Sequence, residues 1–244
     1  PAKSLLPIIG ANLWYKPIAT SNSLLDQDVT EALRLLAEWN GEMNEHLPEP
    51  LIFYSWMRKL QQRLTQDELG VLSKEFSNFE PLFLERVFRD IDGASQWCDV
   101  LQSIPVEKCE TIAELALYDA ISELRERYKL KMNSLRWGDV HIAMHDHLTL
   151  GHIPLLNLLI NLRQSVSGGD YTLMRGLSSG NEYNPFENVH AAVYRGIYDF
   201  SDPDSSLYII STGQSGHLFS RHYDDLGQLW RRGEYINMSL DPDL

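Results

Sequence analysis

The pattern of apolar residues changes at Gly168-Gly169, and that change limits the fold more than any other feature of the chain. Before it, apolar side chains recur at helical spacing; after it, β-branched and aromatic residues come in short runs separated by turn formers. Leu117, Ile121, Leu124 and Tyr128 follow Thr111-Ile112-Ala113-Glu114 at steps of four, three and four, which places them on one face of a long amphipathic helix. Asp28 and Glu31 have capping-box spacing ahead of Ala32, Leu33, Leu36, Ala37 and Trp39, with Asn40-Gly41 as a stop. A second helix is expected from Pro50, burying Phe53, Tyr54, Met57, Leu60 and Leu64. Thr65-Gln66-Asp67-Glu68 reads as another cap, and Pro81 suits the first turn of a helix through Phe88.

Beyond the glycine pair, Val189 to Phe200, a turn at Ser201-Asp202-Pro203-Asp204 and the run Leu207-Tyr208-Ile209-Ile210 predict a β-hairpin. Tyr171 to Arg175 is expected to add a strand. Helices first and strands last define an α+β chain, with a helical region over 1–165 and a hairpin-containing region over 166–244. Two or three strands are few for a self-sufficient sheet, so their partners are expected on polypeptide outside this chain.

Composition narrows the partners. With 244 residues, 43% of them apolar, the chain can bury a sizeable core. Its net charge of −13, without a dense Lys/Arg run, argues against nucleic acid. The most apolar stretch, Ile153 to Leu162, is broken by Pro154, Asn157 and Asn161 and falls short of the roughly 20 residues that span a membrane. Cys98 and Cys109 fit neither a CxxC redox motif nor common zinc spacing. A disulfide closing a loop around Pro105, in an oxidising compartment, is favoured; two buried free thiols in a reducing one is the alternative.

Four groups could carry chemistry. Thr212-Gly213-Gln214-Ser215-Gly216-His217 approaches a nucleophile turn, but runs G-x-S-G where that turn needs G-x-S-x-G. His141, His145, His147 and His152 form the densest histidine cluster and would suit a metal-binding module, although the glutamate of a zincin is missing. Pro1 would offer a secondary amine if the natural chain began there. Asp224-Asp225 beside Arg221 and His222 reads as a solvated charge cluster.

The tail residues Gly213-Gln214-Ser215-Gly216-His217, His222-Tyr223-Asp224-Asp225, Leu229-Trp230 and Gly233-Glu234-Tyr235 resemble the terminal segment of penicillin acylase β chains. Upstream, in the same order, Trp39-Asn40-Gly41 resembles that family's W-[DN]-G helix end. Trp137-Gly138-Asp139-Val140-His141, with His147 and Leu150-Gly151, resembles its W-G-x-x-H segment, and Gly168-Gly169-Asp170-Tyr171-Thr172 its G-G-D-x-x-T stretch. Trp97-Cys98-Asp99 with Cys109 is similar to a cysteine pair of bacterial periplasmic branches, which implies a disulfide and a periplasmic or secreted protein.

The resemblance implies an N-terminal nucleophile hydrolase, in which a precursor cleaves itself and a serine opening the β chain attacks a linear amide with its own α-amine as base. Here Pro1 stands first, and the family's oxyanion asparagine and calcium ligands fall upstream of the matched segments; Asn12 and Asn22 lack their surroundings. No catalytic residue, metal ligand or cofactor is therefore expected in this chain, calcium being a matter for the parent enzyme. The resemblance implies a C-terminal part of a β subunit, inactive alone, whose partners are the rest of that subunit and the α subunit and whose final strands complete the parent's sheet. The rival expectation is an autonomous binding module, metal-binding through His141, His145, His147 and His152.

Overall fold

The computed structural model describes residues 1–14 and 23–239. The chain divides into two compact units, Pro1–Trp137 and Gly138–Leu244.

The first unit is helical: α1 (Ala2–Ile9), α2 (Leu24–Glu38), α3 (Glu49–Leu69), α4 (Pro81–Phe88) and α5 (Cys109–Tyr128). Its centre is α3, buried without a break from Pro50 to Arg58. A helix buried on every side over that stretch must be surrounded, and its main companion is α5. Ala113, Ala116 and Ala120 of α5 are fully buried, small enough to let the helices approach closely. Trp56 of α3 donates its indole N–H to the Ala113 carbonyl at 2.9 Å. Lys59–Glu123 and Arg63–Asp119, at 2.5 and 2.6 Å, line the same contact.

Gln61, on α3, is buried yet fully used. It donates to the carbonyls of Phe76 and Asn78 at 3.1 and 2.7 Å and accepts the Glu80 N–H at 2.6 Å. The loop leading into α4 is thereby fastened to the central helix. Phe79 then packs edge-on against Phe53 and Tyr54, and Trp137 closes the cluster against Tyr54. Cys98 and Cys109 are joined by a disulfide, with Cα atoms 5.0 Å apart, that ties the 3₁₀ segment Ile91–Cys98 to the start of α5.

Two expected caps are corrected. The start of α2 is Ser23, whose hydroxyl accepts the Asp26 N–H at 3.1 Å. Asp28 lies inside the helix, paired with Arg125, and Glu31 turns to Arg34. The Leu24-Leu25 turn extends the helix beyond the apolar stripe that suggested its start. Thr65 to Glu68 continue α3, Thr65 donating to the Gln61 carbonyl at 2.9 Å, and the helix ends only at Gly70.

The second unit holds α6 (Asn157–Ile160), α7 (Gly227–Arg232) and two sheets. The four-stranded sheet has the order β2-β1-β4-β3, with β1 (Ile142–His145), β2 (Leu162–Ser165), β3 (Gly176–Ser178) and β4 (Asn188–Ala191). Within it β1 and β2 are antiparallel from Ile142↔Ser165 to His145↔Leu162, and β1 meets β4 in parallel at Ala143↔Asn188. The three-stranded antiparallel sheet has the order β5-β6-β7, with β5 (Tyr194–Ile197), β6 (Leu207–Ile210) and β7 (Ile236–Asn237). Ala143, Val166, Ile209 and Trp230 form the core they share. The Trp230 indole N–H reaches the Ala192 carbonyl at 2.9 Å, and Arg195 lies 4.6 Å over its ring.

The α+β class stands, with more strands than the sequence suggests. The division at Trp137 moves the boundary upstream from 165, because β1 pairs with β2 and draws residues 142–165 into the sheet unit. The β5–β6 hairpin forms as expected, but Val189 to Phe200 is not one arm of it: the chain breaks at Ala192, whose N–H and carbonyl go to Arg175 and Trp230, and β4 belongs to the other sheet. Tyr171 to Met174 is a loop rather than a strand, and Arg175 makes only an isolated β-bridge, to Gly169. Thr172 holds the loop backbone, and Leu173 is fully exposed.

Replacing Gln61 by Leu orphans three backbone groups at once. The expected cost is about 2–4 kcal/mol, read as a lower urea midpoint by circular dichroism. Removing both cysteines, Cys98→Ser with Cys109→Ser, is expected to cost about 2–3 kcal/mol by releasing a short loop in the unfolded chain, measured against the oxidised protein in the same titration.

Candidate functional site

The residues singled out in the second unit lie in two knots of hydrogen bonds. The first surrounds His141, whose side chain is fully buried at the head of β1. Its Nδ1 donates to the Phe186 carbonyl at 2.7 Å. Burial is the larger influence on the ring and the carbonyl the smaller, and together they hold its pKa down at about 4, so the ring is neutral at pH 7. Gly176 on β3 permits this packing: a Cβ there would stand 2.4 Å from His141 Nε2 and 2.7 Å from Asn188 Nδ2.

The Gly168–Thr172 loop leads into the same place. Gly168 has φ +97°, and a side chain on it would meet the Met174 carbonyl oxygen at 1.9 Å. The Thr172 hydroxyl accepts the Gly169 N–H at 3.0 Å and lies 2.8 Å from the Met174 carbonyl. Asp170, also buried, accepts the Ser178 N–H of β3 at 2.6 Å. His141 and the glycine-rich loop therefore converge beside β3 and β4 of the four-stranded sheet, with Gly176, Ser178 and Asn188.

The second knot is the tail motif. A Cβ on Gly213 would stand 2.1 Å from the His222 carbonyl oxygen and 2.7 Å from Asp225 Oδ1, so only glycine fits. Ser215 N–H bonds the His222 carbonyl at 2.9 Å, and Thr212 accepts the Leu226 N–H at 3.0 Å. The Ser215 hydroxyl accepts the His217 N–H at 3.1 Å, and Gln214 reaches the Tyr208 hydroxyl at 3.5 Å. Gly216 has open space around it. The Tyr223 hydroxyl donates to the Ile160 carbonyl at 2.6 Å, which fixes the tail to α6.

This knot includes a serine, a histidine and an aspartate around an open cleft of about 560 Å³. They do not form a charge-relay array. His222 Nδ1 donates to Asp225 at 2.7 Å, but its Nε2, the atom a general base turns toward its nucleophile, accepts from Arg221 Nε at 2.9 Å. Ser215 meets His222 through the backbone.

The remaining histidines take separate structural positions. His145 packs edge-on against Trp230 with centroids 5.7 Å apart, and burial lowers its pKa more than Asp146 raises it. His147 Nδ1 accepts the N–H groups of Thr149 and Leu150 at 3.3 and 3.1 Å, while His152 is exposed. Among the described residues no group of three or more His, Cys, Asp or Glu side chains could hold a metal ion. In the first unit, Trp39 donates to the Glu42 carbonyl at 2.9 Å and Gly41 takes φ +82° against Lys3. Gly138 lies in the 3₁₀ turn Trp137–Asp139. Asn12 donates to Glu110 at 3.2 Å, and Asn22 lies outside the described residues. No helix among them is long and apolar enough to cross a membrane.

The fold has a counterpart among solved structures. The chain superimposes on a thermostable penicillin G acylase from Alcaligenes faecalis with a TM-score of 0.54 at 13% identity, over 98% of this chain and 43% of that one. At that identity the likeness defines a fold of the penicillin acylase class and nothing finer. The sequence is more specific: the penicillin amidase family profile matches residues 1–244, and the chain belongs to that family.

Among curated relatives, acyl-homoserine lactone acylase QuiP of Pseudomonas syringae pv. tomato is 25% identical over 257 aligned positions, covering 98% of this chain and 30% of that protein. Penicillin acylase 2 proenzyme of Pseudomonas sp. is 28% identical over 116 positions, 46% of this chain and 14% of that protein. The chain thus spans less than a third of the length of the relatives it matches.

Because the folded pKa of His141 lies below the unfolded 6.5, its burial contributes stability that is fully present above pH 6.5 and is lost as pH falls toward 4. Its share is expected to be on the order of 3 kcal/mol. Urea midpoints from pH 7 to pH 4 should fall more steeply for the natural chain than for His141→Gln, which has no proton to take up there.

Proposed function

We propose that this chain is the C-terminal, non-catalytic part of the β subunit of an N-terminal nucleophile amidohydrolase. The observation that carries the reading is the coverage: nearly all of this chain aligns within less than a third of an acylase from the same family. The geometry supports it, because Ser215, His217, His222, Asp170 and Thr172 spend their polar atoms on the backbone and side chains around them.

In the parent, the serine that opens the β subunit attacks the carbonyl carbon of a linear amide, its α-amine taking the proton. The amine leaves with that proton, and water then releases the carboxylic acid from the acyl-serine. The relatives named for acyl-homoserine lactones and for penicillin make an acylated amine the proposed substrate class. The contribution of this chain is mechanical: its sheets extend those of the parent and brace the acyl pocket. Its partners are the rest of the β subunit and the α subunit of one precursor; any calcium is held by ligands outside this segment. The disulfide supports a periplasmic or secreted location.

The test compares the parent precursor with this chain for release of free amine from phenylacetyl amides and acyl-homoserine lactones. The precursor is expected to turn over and the isolated chain to stay at background. Turnover by the isolated chain would remove the non-catalytic assignment, and a matured precursor inert toward every amide would remove the hydrolase assignment.

A further inference from the structure

The connection from β1 to β2 combines two properties that seldom occur together. It is strongly aliphatic and exposed, with Leu148, Leu150, Ile153, Leu155, Leu158 and Leu159 all facing outward; Leu148 is 89% accessible, and Leu155 and Leu158 each 78%. It is also held firmly. Asn161 accepts the His147 N–H and donates to the Gly151 carbonyl, both at 3.1 Å. Gly151 N–H bonds the His147 carbonyl at 2.8 Å, and the His147 ring accepts the N–H groups of Thr149 and Leu150.

The Gly151 position admits no side chain, since a Cβ would stand 2.5 Å from both Asn161 Oδ1 and the His147 carbonyl oxygen. Leu155 takes φ +70°, a left-handed conformation unfavourable for a leucine, while its side chain projects outward. Ile160, buried, and the Tyr223 hydroxyl anchor the far end. A simple connector needs neither this scaffold nor this surface; a preformed docking face needs both.

The residues also indicate what covers it. Between Asp146 and Asn161 there is no Lys, Arg, Trp or Tyr, and the chain carries a net charge of −13. A surface that seats in a lipid headgroup layer uses those residue types. The chain spans 30% of the length of its acyl-homoserine lactone acylase relative, so a large body of polypeptide is available in a parent of that size. We infer that the aliphatic segment 148–159 is an internal face of the parent protein, covered by the part of the same precursor that lies outside this chain. This rests on reading the chain as part of a larger hydrolase.

The test places a thiol at Leu158→Cys, and separately at Leu159→Cys, in the parent and in the isolated chain. The rate of reaction with a polar maleimide is followed on the peptide carrying that thiol. The expected result is labelling roughly tenfold or more slower in the parent. Equal rates overturn the inference. So does protection of the isolated chain that disappears on dilution, which would make a second copy the occupant, or protection of the parent only when phosphatidylcholine vesicles are added. Amide hydrolysis is measured on the same samples: turnover with equal labelling sinks the docking face alone, and protection without turnover sinks the hydrolase reading alone.

Discussion

Strands of two to four residues cannot satisfy the backbone of the second unit by ladder hydrogen bonds, and that shortage shapes everything in it. Between β2 and β3, and again between β6 and α7, long stretches of chain have no regular partner. Side chains fill the gap: Asp170 takes the Ser178 N–H, Thr172 the Gly169 N–H, Asn161 the His147 N–H and Ser215 the His217 N–H. Each bond is worth only about 1 kcal/mol net, but an unmet buried group costs more than that, so the set acts by excluding other paths for the chain. The glycines complete the same device. Gly168, Gly176 and Gly213 sit where a Cβ would strike backbone or a buried ring, letting the loops approach closely enough for those bonds to form.

The first unit solves the opposite problem. In α3 the backbone satisfies itself, and what must be accommodated is a helix buried on every side from Pro50 to Arg58. The alanines of α5 and the Phe53–Tyr54–Phe79 cluster meet it with area, while polar contacts line the α3–α5 seam at Trp56, Lys59 and Arg63 and attach a loop at Gln61. Burial of area is tolerant of substitution by residues of similar volume. A network of specific donors and glycines is not. The motifs by which the sequence resembles a family are accordingly denser in the second unit, where chemistry and spacing constrain each position.

That difference also decides what could be read without coordinates. The helices were legible because 3.6-residue periodicity reports burial directly: Phe53, Met57, Leu60 and Leu64, and Leu117, Ile121 and Leu124, are all buried as their spacing requires. Their ends were less so, since Asp28 and Glu31 have cap spacing but are drawn to Arg125 and Arg34, one of them distant in sequence. In the sheet unit β1 was hidden, because His141 and His145 at its two ends suggested metal chemistry and its length leaves little alternation. Asn188 carried no local signal. Gly176 did, since a glycine within a strand marks a close approach, but what approached it was fixed by the fold and not by its neighbours in sequence.

The position of the serine-histidine-aspartate group shows why residue types alone do not assign chemistry. All three side chains lie around one cleft, and His222 holds Asp225 at the distance a catalytic pair would. Chemistry depends on the other ring nitrogen, and that lone pair is directed at Arg221. To serve as a base, His222 would have to give up this donor, turn toward Ser215, and find Ser215 released from the His217 N–H. Oxyanion stabilisation would also have to come from donors aimed at the cleft, whereas the Ser215 N–H is bonded to the His222 carbonyl. Each rearrangement would dismantle a bond internal to the turn between Ser215 and Asp225. Geometry so committed to holding a turn has little freedom left for proton transfer.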